Sequence, residues 1–236
     1  CIKVGSKRSM IKRFWNWLKE NKHVFLALYL PIYLIGFFWV ESYVPSDSQY
    51  WVSHTPLDDL IPFVEAFVIP YCLWFPFMIL TGLYLMFYDA PAFSRYMLAI
   101  AISFTASIVF FVFFPNGLNL RPATFAHDNL FTRVIGLIYA ADTNTNVLPC
   151  IHVVGSVLVV FALFDTKRLK ARRFLWIKAA AILLAVLITA ATVFIKQHSM
   201  LDIYAGLAVC IPLYFLIYNK RMRAWTDRVF GKAAAA

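Results

Sequence analysis

The sequence predicts an all-α polytopic membrane protein with six transmembrane helices, on three observations. Its 236 residues are 62% hydrophobic and only 14% charged, whereas a soluble domain is about a quarter charged. The mean hydropathy is +0.71. Six apolar runs approach the roughly 20 residues that a helix needs to cross a bilayer, and Lys and Arg collect at their borders. The net charge of +10 does not indicate a nucleic-acid partner, because the basic residues flank apolar runs and form no polar basic stripe.

Residues 1–23 read as a basic, amphipathic cytoplasmic start, with Phe14, Trp15, Trp17 and Leu18 set among Lys and Arg between Met10 and Lys22. Such a segment suits an interfacial helix leading into the first span. The first apolar run is long and lacks a small-residue cleavage site, so no cleavable signal is expected. Residues 24–218 form one membrane domain whose spans run Val24–Val40, Ala66–Phe87, Tyr96–Phe114, Val147–Phe164, Leu175–Ile195 and Met200–Tyr218. Pro70 and Pro76 predict a kink in the second. Trp39, Tyr43, Tyr50, Trp51, Trp74 and Tyr218 suit interfacial aromatic belts. Residues 219–236 are a basic tail ending in an alanine run. Of the four cysteines, Cys1 shows no lipidation context, and the set forms neither a disulfide framework nor a zinc pattern.

Every Lys and Arg except Arg121, Arg133 and Lys196 falls on one side of these spans. By the positive-inside rule both termini are cytoplasmic, in what reads as a bacterial cytoplasmic membrane. Two long loops then face outward. Glu41 to Glu65 carries Glu41, Asp47, Asp58, Asp59 and Glu65 with no Lys or Arg, and reads chiefly as a solvated acidic loop that could also cover a site. Pro115 to Asn146 contains Asn116, Gly117, Asn119, Arg121, Pro122, His127, Asp128, Asp142 and Asn144, and also Arg133; long loops in compact domains are often functional. Within it, Arg133, His127 and Asp128 read as ordinary loop residues.

The same outer boundary gathers His152, His198 and Asp202. Histidine and aspartate four residues apart share a helical face, where a carboxylate can orient an imidazole. Ionisable groups in membrane-embedded segments mark functional sites. Asn146 and Pro149 suggest a helix start, with Asn146 as cap and His152 about one turn in. The free N–H groups of such a start, with Arg121 and Lys196, would suit a phosphate. His198 is then placed to attack phosphorus, and His152 to protonate the leaving oxygen. No metal or other cofactor is required if those cations carry the transition-state charge.

Leu148-Pro149-Cys150-Ile151-His152, then Gln197-His198-Ser199-Met200-Leu201-Asp202, with Arg121-Pro122 upstream, resembles the type 2 phosphatidic acid phosphatase superfamily over roughly residues 58 to 210. That resemblance implies a six-helix bundle with a catalytic membrane domain at 24–218. It implies His198 as nucleophile, Asp202 as its orienting partner, His152 as general acid and Arg121 as a phosphate ligand. Cys150, at the family's serine position, joins Arg121 and Lys196 as a candidate substrate-binding residue. Three motif positions depart from the family: Phe114 stands for the lysine, Cys150 for the serine, and Ala191-Thr192 for the Ser-Arg pair. The sphingolipid-synthase branch keeps the two histidines and the aspartate with similarly weak outer motifs, and its members transfer a phospho-head-group between lipids. The expected activity is a lipid-phosphate phosphatase or such a phosphotransferase, acting on a phospholipid, prenyl phosphate or sphingolipid. Two readings of other classes use the same atoms: an iron site of His152, His198 and Asp202, and a proton-handling transporter. The first leaves Arg121 and Lys196 unexplained beside a cation, and the second expects charges near mid-span.

Overall fold

The computed structural model describes residues 5–44 and 49–231. Cys1, Asp47 and the terminal alanine run lie outside the described residues, as do the side chains of residues 5–11 and of Phe14. The described chain is almost entirely helical. Helix α1 (Gly5–Glu20) leads through a 3-10 segment into α2 (Tyr29–Tyr43), and Trp15 and Trp17 on α1 are exposed. A short α3 (Pro56–Leu60) follows, then α4 (Val68–Cys72), α5 (Trp74–Tyr88) and α6 (Ala90–Phe113). The second half holds α7 (Leu130–Ala141), α8 (Ile151–Asp165), α9 (Leu175–Phe194), α10 (Met200–Ile217) and α11 (Lys220–Phe230).

Among the described residues, five stretches are long and apolar enough to cross a membrane: Lys22–Tyr43, Glu65–Tyr88, Ala90–Phe113, Arg172–Phe194 and Met200–Ile217. The expected fourth span, Val147–Phe164, does not reach that length. Its helix, α8, has 15 residues, or about 22 Å at 1.5 Å per residue, against roughly 30 Å of hydrocarbon. The reason is local. Asn146 sits at φ 60°, Pro149 precedes the helix, and Cys150 rather than Asn146 is its N-cap, so His152 is the second helical residue. Helix α8 is instead the buried axis of the bundle, packed by α5, α6, α9 and α10.

The kink expected in the second span, by contrast, is present as a break at Leu73, between Pro70 and Pro76, where α4 ends and α5 begins. The loop expected from Pro115 to Asn146 contains α7, started by a capping box in which the Asn129 side chain accepts from the Phe131 and Thr132 amides. Among the supposed belt residues, Trp74 and Tyr218 are buried, whereas Trp39, Tyr43 and Trp51 are exposed.

The core runs along α8, with Trp74, Met78, Phe93, Tyr96, Ile100 and Leu158 packed together. Outward faces carry Ile35, Phe38, Leu80, Phe113, Leu183 and Phe215, all exposed. Large exposed apolar surface of this kind belongs against lipid or another protein rather than water. At the end of the bundle that holds the start of α8, β1 (Trp51–Val52) pairs in parallel with β2 (Asn116–Gly117) and stitches the two long loops together. Only glycine fits at 117, because a Cβ there would lie 2.5 Å from the Tyr50 ring and 2.9 Å from the Asn144 carbonyl.

Candidate functional site

The start of α8 is held from both sides, by the main chain at Asp202 and by the side chain of Asn116. The Cys150 amide donates to the Asp202 carbonyl at 3.1 Å. The buried Asn116 side chain accepts from the Val147 and Leu148 amides at 2.9 and 2.7 Å, and donates to the Phe114 carbonyl at 2.8 Å. These contacts fix the direction in which Cys150 and His152 leave the helix start.

His198 does not share a helix with Asp202. It lies in the Ile195–Ser199 turn, Ser199 is the N-cap of α10, and Asp202 is the third residue of that helix. Asp202 closes the capping box by accepting from the Ser199 amide at 2.8 Å, and the same oxygen faces His198 Nδ1 at 3.3 Å. Its other oxygen accepts from the Ser53 hydroxyl, which also contacts the Ser199 hydroxyl at 2.8 Å. The carboxylate is fully buried and partnered on both oxygens. With Nδ1 held, His198 presents Nε2 to His152 Nδ1 at 3.3 Å. A carboxylate and two imidazoles thus form one hydrogen-bonded row.

Both histidines are 6% exposed. The His152 ring packs against Tyr71 and Trp74 at centroid distances of 4.7 and 4.5 Å. Trp74 can approach because position 155 on α8 is glycine: a Cβ there would lie 2.9 Å from the indole nitrogen and 2.7 Å from the Met78 sulfur. Burial works to lower the His198 pKa. The Cys150 sulfur and the Asp202 carboxylate work to raise it and prevail, so its value stands above the ordinary 6.5.

Arg121 lies beside this row through Gln197. Its Nη2 donates to the Thr143 carbonyl at 2.7 Å and to Gln197 Oε1 at 2.5 Å, and its guanidinium covers the Tyr139 ring at 4.4 Å. Arg121 Nε and Gln197 Nε2 are buried donors without an acceptor. Two such donors beside one another are uncommon in a folded interior and suit an incoming anion. Lys196 points elsewhere. Its ammonium donates to the Asp58 and Ile61 carbonyls at 3.0 and 2.6 Å, so it ties the first long loop to the end of α9. Asp58 is buried, accepting from Thr55 at the start of α3 and from the Met200 amide at the start of α10. The first long loop therefore covers the site, and its central acid is not solvated.

Ser53, Tyr71, Trp74, Asn116 and Gln197 belong to the site and were not among the residues expected. Asn116 and Gln197 have a sequence signal, being polar residues at the edges of apolar runs near the motifs. Ser53, Tyr71 and Trp74 approach from distant parts of the chain and have none. Arg133 and Asp128 form an exposed ion pair at 2.9 Å. Glu41 is bound by Thr143 and Asn146. Close by, burial and then Glu41 push the Asp142 carboxyl up to about 6. The chain matches no protein-family model, no curated protein and no solved structure.

Proposed function

We propose that the chain is a membrane lipid-phosphate phosphatase that works through a phosphohistidine at His198. The carrying observation is the row Asp202–His198–His152, 3.3 Å at each step, inside a buried pocket. Moving one proton from His198 Nε2 to His152 Nδ1 leaves a neutral nucleophile beside a charged acid, the pair of states that phosphoryl transfer needs. The rings part to admit the phosphate, and Arg121 with the helix α8 start stabilises its oxygens. Nε2 bonds to phosphorus, the phosphorus–oxygen bond to the lipid breaks, and His152 gives its proton to the departing oxygen. His152 then takes a proton from water, whose oxygen attacks phosphorus, releasing inorganic phosphate and restoring His198. In this reading α8 completes a six-helix bundle, and the distribution of basic residues supports an outward-facing site.

Purified protein in detergent should release phosphate from at least one of phosphatidic acid, prenyl diphosphate and phosphatidylglycerophosphate, without sensitivity to chelators. The His198→Ala variant should release none; full activity in that variant would end the proposal. The active pair carries one proton, so activity should persist above pH 6.5 and fall only at higher pH. An alkaline loss centred on the ordinary histidine value would contradict the row as described.

The burial of both histidines also favours a second acceptor. A lipid alcohol in place of water would make the same site a head-group phosphotransferase. Mass spectrometry of a lipid extract incubated with wild type and His198→Ala separates the two, by new head-group lipids or by dephosphorylated ones.

A further inference from the structure

We propose that Cys150, His152 and His198 form a binding site for a soft divalent metal ion, zinc above all, which clamps the histidine pair. Their ligand atoms lie within 4.8 Å of one another, and all three residues are buried. Tetrahedral zinc at about 2.0–2.1 Å from two imidazole nitrogens separates them by about 3.3 Å, and His152 Nδ1 and His198 Nε2 already stand 3.3 Å apart. The Cys150 sulfur, within 4.8 Å of both nitrogens, supplies the third ligand. A thiolate with two imidazoles selects zinc over magnesium, calcium or manganese. Three protein ligands leave a fourth position for water or a phosphate oxygen.

The surroundings fit this ligand set better than a set of His152, His198 and Asp202. Both Asp202 oxygens are engaged by Ser53, the Ser199 amide and His198. The carboxylate therefore stands behind His198 on Nδ1 and aims Nε2 at the cluster, the usual outer partner of a metal-bound histidine. The two backbones that carry the ligands are also fixed. A Cβ at Gly206 would lie 3.0 Å from the Cys150 carbonyl and 3.1 Å from the Val153 Cβ, so α10 rests directly on the start of α8. An ion there occupies the two nitrogens that phosphoryl transfer uses. The consequence that zinc inhibits rests on the proposed function; the site itself does not.

The test is titration of the chelator-stripped, detergent-purified chain with cobalt(II), followed by displacement with zinc. One equivalent should produce a thiolate-to-cobalt charge-transfer band, and zinc should abolish it. The band should persist in Cys1→Ser and Cys72→Ser and vanish in Cys150→Ser, while Asp202→Asn should bind about 10–100-fold more weakly. Absence of the band from wild type at saturating cobalt overturns the site without reference to any variant, as does an unchanged band in Cys150→Ser. Because the band needs no turnover, it can appear in a protein that releases no phosphate, which would sink only the phosphatase reading. Phosphate release with no band would sink only the metal site.

Discussion

The two ends of α8 are both buried and polar, and they are built in opposite ways. At its far end Asp165 is answered by opposite charge: Arg95 donates from Nε at 2.6 Å, Arg223 lies at 2.8 Å, and Arg95 also reaches Thr226 and Asp227. Arg95, which by position alone reads as an orientation signal, is 1% exposed and works as an internal tie between α6, α8 and α11. At the near end His152 meets a second imidazole rather than an opposite charge, and Arg121 and Gln197 keep unused donors nearby. Charge that is fully answered holds a fold together. Groups that are oriented but not satisfied are available to a ligand, and under the proposed function this is the chemical end of the helix.

The contrast breaks most visibly at the ion-paired end. Asp165→Ala removes the closest carboxylate from the buried Arg95, leaving Asp227 at 3.7 Å, and should lower stability by about 3–5 kcal/mol. Thermal unfolding in detergent measures it, and a loss below 1 kcal/mol would mean that this end is no tie. The next effect has the opposite sign and belongs to the chemical end. The Asp142 pKa is raised from 3.8 to about 6, so the folded chain holds the proton more tightly than the unfolded one. Stability then falls as pH rises from about 4 to above 6. Asp142→Asn should flatten that fall and add roughly 2 kcal/mol at pH 7; an undiminished pH slope in the variant would assign it to another group. Ser53→Ala removes one buried donor from Asp202, for about 1 kcal/mol. If Ser53 positions the row, kcat should drop while KM holds, and the ordinary loss of a loop contact would leave kcat alone. Smallest is Arg133→Ala, whose exposed pair with Asp128 should be worth less than about 0.5 kcal/mol. A larger change would show that exposure does not separate structural from idle charge here.

The spans were legible because long apolar runs leave few alternatives, and five reappear close to their expected bounds, although the third begins at Ala90 rather than Tyr96. The length of α8 was not, since hydropathy ignores the backbone turn at Asn146 and Pro149. Asp202 was legible by its spacing from His198, although the spacing serves a capping box across a helix start rather than a helical face. Lys196 shows the limit of charge as a guide: its place beside His198 suggested a phosphate ligand, but its side chain leaves in the other direction. Trp74 and Tyr218 looked interfacial because a sequence gives the chemistry of an indole or phenol and not the helix face that carries it. Ser53 reaches Asp202, and Tyr71 reaches His152, across more than 80 residues of chain, a distance that no local pattern encodes.

The short pairing of Trp51–Val52 with Asn116–Gly117 has a dynamic consequence. Trp51 and Ser53 donate to the Pro115 and Gly117 carbonyls, and Leu118 and Asn146 donate to Asn144 and Asn116. None of these bonds can be released far without straining the others. The amides of Ser53, Leu118 and Asn146 should therefore exchange hydrogen through a single shared opening, with one protection factor for two loops far apart in sequence.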